Sequence, residues 1–172
     1  TRITDGGASV LKKTPEAAEE VLFDAVSTSR KRYPDLQIKT VIPDEFVTAP
    51  MDPLLIKQVL LNLIENAYFH ARSTKPLECT LSSTEDAIKF CIRDYGTGIA
   101  PDRLSGIFDA VPSAPSSAAS TVDTRKGMGI GLSICKAIVN AHNGEITARN
   151  LTEGAEFCFT IPKEEIHHET YD

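Results

Sequence analysis

Alternating glycines open the segment of this chain whose residue types are best suited to chemistry. Gly127, Gly129 and Gly131 directly precede an apolar pattern with helical spacing. Glycine lets a backbone approach a ligand closely, and a helix start offers unpaired N–H groups and the positive end of the helix dipole. The segment is therefore predicted to hold phosphate groups. It is not a Walker A loop, because no Lys-Ser/Thr pair follows the last glycine.

A predicted helix carries a stripe of amide and imidazole side chains. Asn62, Asn66 and His70 follow Gln58 at intervals of four residues, which places all four on one helix face. Asparagine in mid-helix costs stability, and its amide oxygen suits a Mg²⁺ ion that also holds phosphates and water. A polar stripe at the edge of the core is the alternative. The predicted apolar face consists of Val59, Leu60, Leu63, Ile64 and Ala67.

Asp94 follows an alternating strand pattern at residues 87–92, and Gly96 and Gly98 come two and four positions later. An ionised carboxylate accepts hydrogen bonds and donates none, so Asp94 suits the exocyclic amine of adenine and would leave the carbonyl of guanine unsatisfied. The two glycines would let a base lie against the backbone. An ordinary turn containing aspartate is the alternative, whereas the acidic spacing of a calcium loop is missing.

These three segments, in this order, resemble the ATP-binding domain of bacterial sensor histidine kinases, within the wider gyrase/Hsp90/MutL class of ATPases. The matching boxes are residues 62–70, 94–99 and 127–132, and residues 154–162 resemble the terminal strand of that domain. The resemblance extends from about residue 16 to residue 162. Residues 42–67 are, in addition, similar to the potassium-responsive sensor kinases.

The resemblance implies a role for each matching side chain. Asp94 would select adenine, and Asn66 would hold Mg²⁺. Asn62 would position water or the metal, and His70 would approach the ribose or the phosphates. Lys126 would meet the γ-phosphate from a lid, which makes Asn62 and Lys126 the expected catalytic residues. The other ATP-binding residues that the resemblance implies are Gly96, Gly98, Ile99, Gly127, Met128, Gly129, Ile130, Gly131 and Leu132.

Two positions depart from the patterns of related proteins. Phe69 stands where the kinases often place a lysine or arginine, so one phosphate-contacting cation is missing. Asn62 stands where gyrase-type ATPases carry a general-base glutamate, which favours phosphotransfer to a protein over activation of water. A serine-type kinase or ATPase of the same fold remains an alternative, as does a docking module with weak nucleotide affinity.

The partners expected from the resemblance are ATP, a dimerisation and phosphoacceptor domain of the same kinase and, indirectly, a response regulator. None of the four histidines lies in a His-Glu/Asp-x-x-x-Pro-like segment, so the acceptor histidine is expected outside this chain. A formal net charge of −6 argues against nucleic acid as a partner. No apolar run of membrane-spanning length is present. The resemblance then implies a cytoplasmic domain of a membrane-anchored bacterial sensor kinase.

The cysteines at positions 79, 91, 135 and 158 are widely spaced and form no Cys-x-x-Cys motif. Four cysteines could form two disulfides, but a reduced cytosolic setting is the favoured interpretation.

The element pattern predicts an α+β fold, a two-layer α/β sandwich in which helices cover one face of a mixed, mostly antiparallel sheet. The resemblance makes this a Bergerat-type ATP-binding fold. The first helix is expected from the N-cap Thr14 and Pro15 to about residue 32, and a later helix from residue 131 to residue 143. The predicted organisation is a hairpin and linker remnant at residues 1–14, the ATP-binding domain at residues 15–163 with a lid at about residues 109–126, and a tail at residues 164–172.

Overall fold

A five-stranded sheet with helices packed against one face forms the core of the computed structural model. The structure describes residues 11–109 and 127–164, with the backbone alone for residues 127–130. The elements in chain order are β1 (Thr14–Ala17), α1 (Ala18–Arg32), β2 (Ile38–Val41), β3 (Thr48–Met51), α2 (Pro53–His70), β4 (Leu77–Ser83), β5 (Ala87–Arg93), α3 (Pro101–Leu104), α4 (Gly127–Ala141), β6 (Ile146–Asn150) and β7 (Ala155–Pro162).

The strand order in the main sheet is β2-β4-β5-β7-β6. Only β2 and β4 run parallel, and every other neighbouring pair is antiparallel. Along β5 and β7 alternate side chains point into the core, where the rings of Phe90 and Phe159 stack with centroids 5.0 Å apart. This arrangement confirms the predicted α+β fold with a mixed, mostly antiparallel sheet, and the structure shows that the sheet is open.

Helix α2 begins and packs as its sequence predicts. The Asp52 side chain accepts hydrogen bonds from the N–H groups of Leu54 and Leu55 at 3.2 and 3.3 Å, and Pro53 occupies the first helical position. All five residues of the predicted apolar face are buried. The helix packs against both α1 and α4. Among the described helices, none combines the length and the apolarity that crossing a bilayer would require.

Two predicted helix starts are wrong. Residues 14–17 form strand β1, which pairs antiparallel with β3, and α1 begins only at Ala18, whose N–H donates to the Val47 carbonyl at 2.8 Å. The sequence Thr14-Pro15 predicted a helix start, but the backbone of these residues pairs instead with β3. Helix α4 begins at Gly127, earlier than predicted, so Gly127 and Gly129 belong to the helix and do not precede it.

The cysteines also differ from their predicted state. Cys91 and Cys158 are directly opposite each other on β5 and β7, with Cα atoms 4.1 Å apart, and they form a disulfide. The register of β5 with β7 makes neighbours of these two cysteines, which are 67 positions apart in the sequence. The prediction that all four cysteines are reduced is therefore wrong for this pair. Cys79 and Cys135 are free, and burial raises the pKa of each thiol to about 12.

His142 joins the C-terminal end of α4 to the N-terminal end of α2. The side chain is buried, its Nδ1 lies 2.8 Å from the Ile138 carbonyl, and its Nε2 accepts a hydrogen bond from the Asp52 N–H at 3.0 Å. A carbonyl requires a proton on Nδ1, and a backbone N–H requires a lone pair on Nε2. These partners therefore select the neutral ring with its proton on Nδ1.

We expect the neutral state of His142 to make part of the folding stability dependent on pH. Burial lowers the pKa of His142 below its usual value of 6.5, although its hydrogen bond to the Ile138 carbonyl favours the protonated ring. Below pH of about 6.5 His142 becomes protonated in the unfolded chain but stays neutral in the folded chain. The free energy of unfolding therefore falls with pH until the lower pKa of the folded state is reached. Above that pH the residue is neutral in both states and contributes no such dependence.

Thermal unfolding of His142→Gln measures this effect. At pH of about 7.5 the variant should melt roughly 3–10 °C below the unmodified chain, since it loses buried contacts. When the pH is lowered from about 7.5 to 5, the melting temperature of His142→Gln should fall less than that of the unmodified chain, because the variant lacks the buried titrating group. An equal or larger loss in the variant would show that His142 is not the titrating group.

Candidate functional site

Asp94 is held at the end of β5 by one of its two carboxylate oxygens. The residue is 5% exposed, and its Oδ1 accepts hydrogen bonds from the N–H groups of Gly96 at 2.9 Å and Ala155 at 3.2 Å. The Asp94 N–H in turn donates to the Ala155 carbonyl at 3.0 Å. No described residue donates to Oδ2. The fold therefore fixes one oxygen and leaves the other as a hydrogen-bond acceptor for a ligand.

Gly96 is required by a close approach within the protein itself. A Cβ at this position would lie 1.7 Å from the carbonyl oxygen of Ala71, the residue after α2. The N–H of Thr97 donates to the same carbonyl at 3.2 Å. The glycine after Asp94 thus allows the end of α2, with its polar stripe, to lie against the loop that follows β5.

Helices α2 and α4 are antiparallel, as three contacts along their length show. His142 reaches Asp52 at the start of α2, and the Cys135 thiol donates to the Val59 carbonyl at 3.8 Å. Nearer the start of α4, the Asn62 Nδ2 donates to the Gly131 carbonyl at 3.5 Å. One further turn along α2 brings Asn66 level with the first turn of α4.

Asn66 presents a polar atom that the described protein does not satisfy. Its Oδ1 is buried and has no hydrogen-bond partner. Buried polar atoms in folded proteins almost always have partners, so this acceptor is available to a bound species. The first turn of α4 beside it offers unpaired N–H groups and a positive dipole end, which favour anions. A neutral amide oxygen next to bound phosphates is a fitting ligand for Mg²⁺.

The remaining predicted site residues differ in burial and in how much of each the structure describes. His70 is half-buried and is the last residue of α2, and Ile99 is half-buried against the core. Leu132 is 1% exposed and packs in the core, so its side chain does not line an open site. Gly127, Met128, Gly129 and Ile130 form the first turn of α4, where only the backbone is described. Lys126 and the predicted lid beyond Asp109 lie outside the described residues.

Phe69 is a surface residue and not part of the core. It is 53% exposed and contacts Tyr33 and Tyr68 edge-on, with centroids 5.3 and 5.1 Å away. Tyr33 and Tyr68 stack on each other at 4.5 Å. Because Tyr33 directly follows α1, Phe69 packs at the end of that helix.

Three residues that sequence reasoning missed support the loop after Asp94. They are Ala71, Asn150 and Ala155. The Ala71 carbonyl accepts from the loop, and the Ala155 N–H donates to the Asp94 carboxylate, as described above. The side-chain amide of Asn150 accepts from the N–H of Ile99. The sequence resemblance assigned residues 154–162 to a terminal strand and gave no role to the turn before it, although the short polar segment around Gly154 was a signal for that turn.

A model of the histidine kinase-, DNA gyrase B- and HSP90-like ATPase family matches residues 51–165. This range covers most of the chain and includes Asn66, Asp94 and the glycines of α4. The chain belongs to this ATPase family.

Relatives and solved structures agree with this assignment. Sensor protein KdpD of Clostridium acetobutylicum is 39% identical over 161 residues, which are 93% of this chain and 18% of KdpD. Adaptive-response sensory kinase SasA of Synechococcus elongatus is 36% identical over 135 residues, 77% of this chain and 34% of SasA. The chain spans only a minor part of either relative.

Among solved structures, the catalytic domain of histidine kinase ThkA has a TM-score of 0.73 at 24% identity, covering 88% of this chain and 97% of that one. Full-length ShkA in complex with AMPPNP has a TM-score of 0.72 at 27% identity, covering 91% of this chain and 32% of that one. The fold of this ATPase-family chain is thus that of a histidine kinase catalytic domain.

Proposed function

We propose that this chain is the catalytic ATP-binding domain of a sensor histidine kinase. It binds Mg-ATP and transfers the γ-phosphoryl group to a histidine on a separate dimerisation domain. The observation that carries the proposal is the unpartnered Asn66 oxygen on α2, the helix whose C-terminal end lies against the loop after Asp94. Family membership and the AMPPNP complex of ShkA support ATP as the nucleotide.

The proposed recognition of the base rests on Asp94. Its Oδ1 is already occupied by two backbone donors, so Oδ2 accepts the adenine amine. Guanine presents a carbonyl at the same position, and two facing acceptors repel each other. Ile99 provides the apolar contact that the base needs on one side.

The phosphates would lie against the first turn of α4, where a helix start offers unpaired backbone N–H groups. Mg²⁺ held by the Asn66 amide would neutralise charge on the phosphates during phosphoryl transfer. His70 would approach the ribose or phosphates, and Lys126 would meet the γ-phosphate. Asn62 is a positioning group and not a base, because an amide cannot take a proton from water. Catalysis then depends on positioning and charge neutralisation, with a protein side chain as acceptor.

The proposed partners follow from this reaction. A dimerisation hairpin of the same kinase supplies the acceptor histidine, and a response regulator receives the phosphoryl group afterwards. The structure of ThkA in complex with response regulator protein TrrA, similar to this chain with a TM-score of 0.71 at 23% identity, supports such an assembly. We place the domain in the cytoplasm as part of a membrane-anchored sensor. The potassium-responsive subfamily stays a prediction, which the identity to KdpD supports.

Phosphotransfer to a separate acceptor is the expected result of mixing this chain with labelled Mg-ATP and a dimerisation hairpin. The hairpin should gain acid-labile, base-stable phosphate, which is typical of phosphohistidine, and the chain alone should gain none. The measurement is label retained on each protein after acid and base treatment.

A hairpin whose acceptor histidine is replaced by glutamine serves as the control and should stay unlabelled. Acid-stable phosphate on an added protein would favour the serine-type kinase. Rapid phosphate release without labelling would favour an ATPase. If calorimetric titration with Mg-ATP detects no binding, the docking module is the better interpretation.

A further inference from the structure

The side chain of Asn150, the last residue of β6, forms two hydrogen bonds with the backbone of one residue in the loop after Asp94. Its Oδ1 accepts from the Ile99 N–H at 2.7 Å, and its Nδ2 donates to the Ile99 carbonyl at 2.8 Å. A single amide thus satisfies both backbone groups of Ile99. Two opposed hydrogen bonds fix the position and the orientation of that residue together.

The turn that follows Asn150 also supports Asp94. The Leu151 N–H donates to the Gly154 carbonyl at 3.0 Å and closes the turn. Gly154 has a φ of +82°, and a Cβ there would lie 2.1 Å from the Asp94 carbonyl oxygen. Ala155, the next residue, donates to the Asp94 carboxylate. One turn therefore contacts both ends of the segment from Asp94 to Ile99.

Asn150 makes these contacts outside the hydrophobic core. It is exposed and lies at the end of the edge strand β6, where it is the last residue of the register with β7. Removing its amide leaves the described core residues in place, so the effect should fall on the loop and not on the whole fold.

We propose that Asn150 is a positioning residue for nucleotide binding, because its amide holds Ile99 at a fixed distance from the Asp94 carboxylate. The inference rests on the proposed ATP-binding function and adds a residue on a different element from the three boxes. Without the amide, the loop samples more conformations in the free protein, and ordering it upon binding lowers the affinity. Chemistry at saturating nucleotide should be unaffected, since Asn150 contacts neither reacting group.

The test compares Asn150→Ala with the unmodified chain in calorimetric ATP titration and in phosphotransfer to the dimerisation hairpin. We expect Kd and KM for ATP to rise about 5- to 20-fold in the variant, with kcat within about twofold. Asn150→Asp keeps the acceptor and loses the donor, so its Kd and KM for ATP should lie between those of Asn150→Ala and the unmodified chain. Thr147→Ala, an exposed change on the same strand, is the matched control and should behave like the unmodified chain.

Hydrogen exchange at the Ile99 amide gives a readout that needs no nucleotide. It should be about tenfold faster in Asn150→Ala, while melting changes by less than roughly 3 °C. Unchanged KM, or a fall in kcat that accompanies a large loss of melting temperature, would overturn the positioning role. If the unmodified chain binds no ATP, the proposed function and this inference both fail; if it binds and the variant binds equally well, only this inference fails.

Discussion

Asp94→Asn is expected to weaken ATP binding about 10- to 150-fold and to leave the fold intact. The estimate corresponds to the loss of a hydrogen bond to a charged group, about 1.5–3 kcal/mol. The backbone N–H groups of Gly96 and Ala155 require an acceptor, so the asparagine oxygen must take the place of Oδ1. The amide NH₂ then replaces Oδ2 and faces the adenine amine, donor against donor.

Calorimetric titration with ATP and with GTP tests this geometry. The same NH₂ group can donate to the guanine carbonyl, so the preference for ATP over GTP should shrink or reverse in the variant. The melting temperature should stay within about 3 °C, since both backbone contacts persist. Unchanged ATP affinity, or a loss of affinity that a large drop in melting temperature explains, would remove the adenine assignment.

Asn66→Ala should separate function from stability. Phosphotransfer should fall on the order of 10²-fold, since a ligand that acts on the charged transition state is lost. The dependence of ATP affinity on Mg²⁺ should largely disappear. Stability should stay equal or rise by up to about 1 kcal/mol, because the variant removes a buried oxygen with no partner and introduces a better helix former.

The control is Asn140→Ala, an exposed asparagine in the last turn of α4, far along the helix from its glycine-rich start, which should keep full activity. Titrations with and without Mg²⁺, phosphotransfer rates and melting curves are measured on both variants. A clear loss of stability in Asn66→Ala with unchanged Mg²⁺ dependence would make Asn66 a structural residue.

Local chemistry explains the elements that the sequence predicted well. Helix α2 carries its own start signal, Asp52 followed by Pro53, and its apolar positions recur at helical spacing. Strand β5 alternates between buried and less buried residues over its whole length. Such signals lie within a few residues of each other, so they can be recognised without knowledge of the rest of the chain.

The elements that were predicted wrongly depend on distant partners. The first helix was expected at Thr14, but pairing with β3, more than thirty residues away, makes residues 14–17 a strand. The Cys91–Cys158 bond depends on the register of β5 with β7. Neither position carries a local sign of its partner, because a strand pairing is decided by where the chain returns.

Part of the candidate site could also be predicted from the sequence, and part of it only the structure shows. Residue types and spacing were enough to single out Asp94, Asn62, Asn66 and the glycines of α4 as candidates, because a carboxylate, an amide and glycine each have a property that suits a nucleotide site. Only the folded arrangement shows which Asp94 oxygen is free, that the Asn66 oxygen lacks a partner, and that Asn150 fixes Ile99. Those features are distances between side chains and backbone groups far apart in the chain, and hydrophobic packing sets these distances when the sheet and helices assemble.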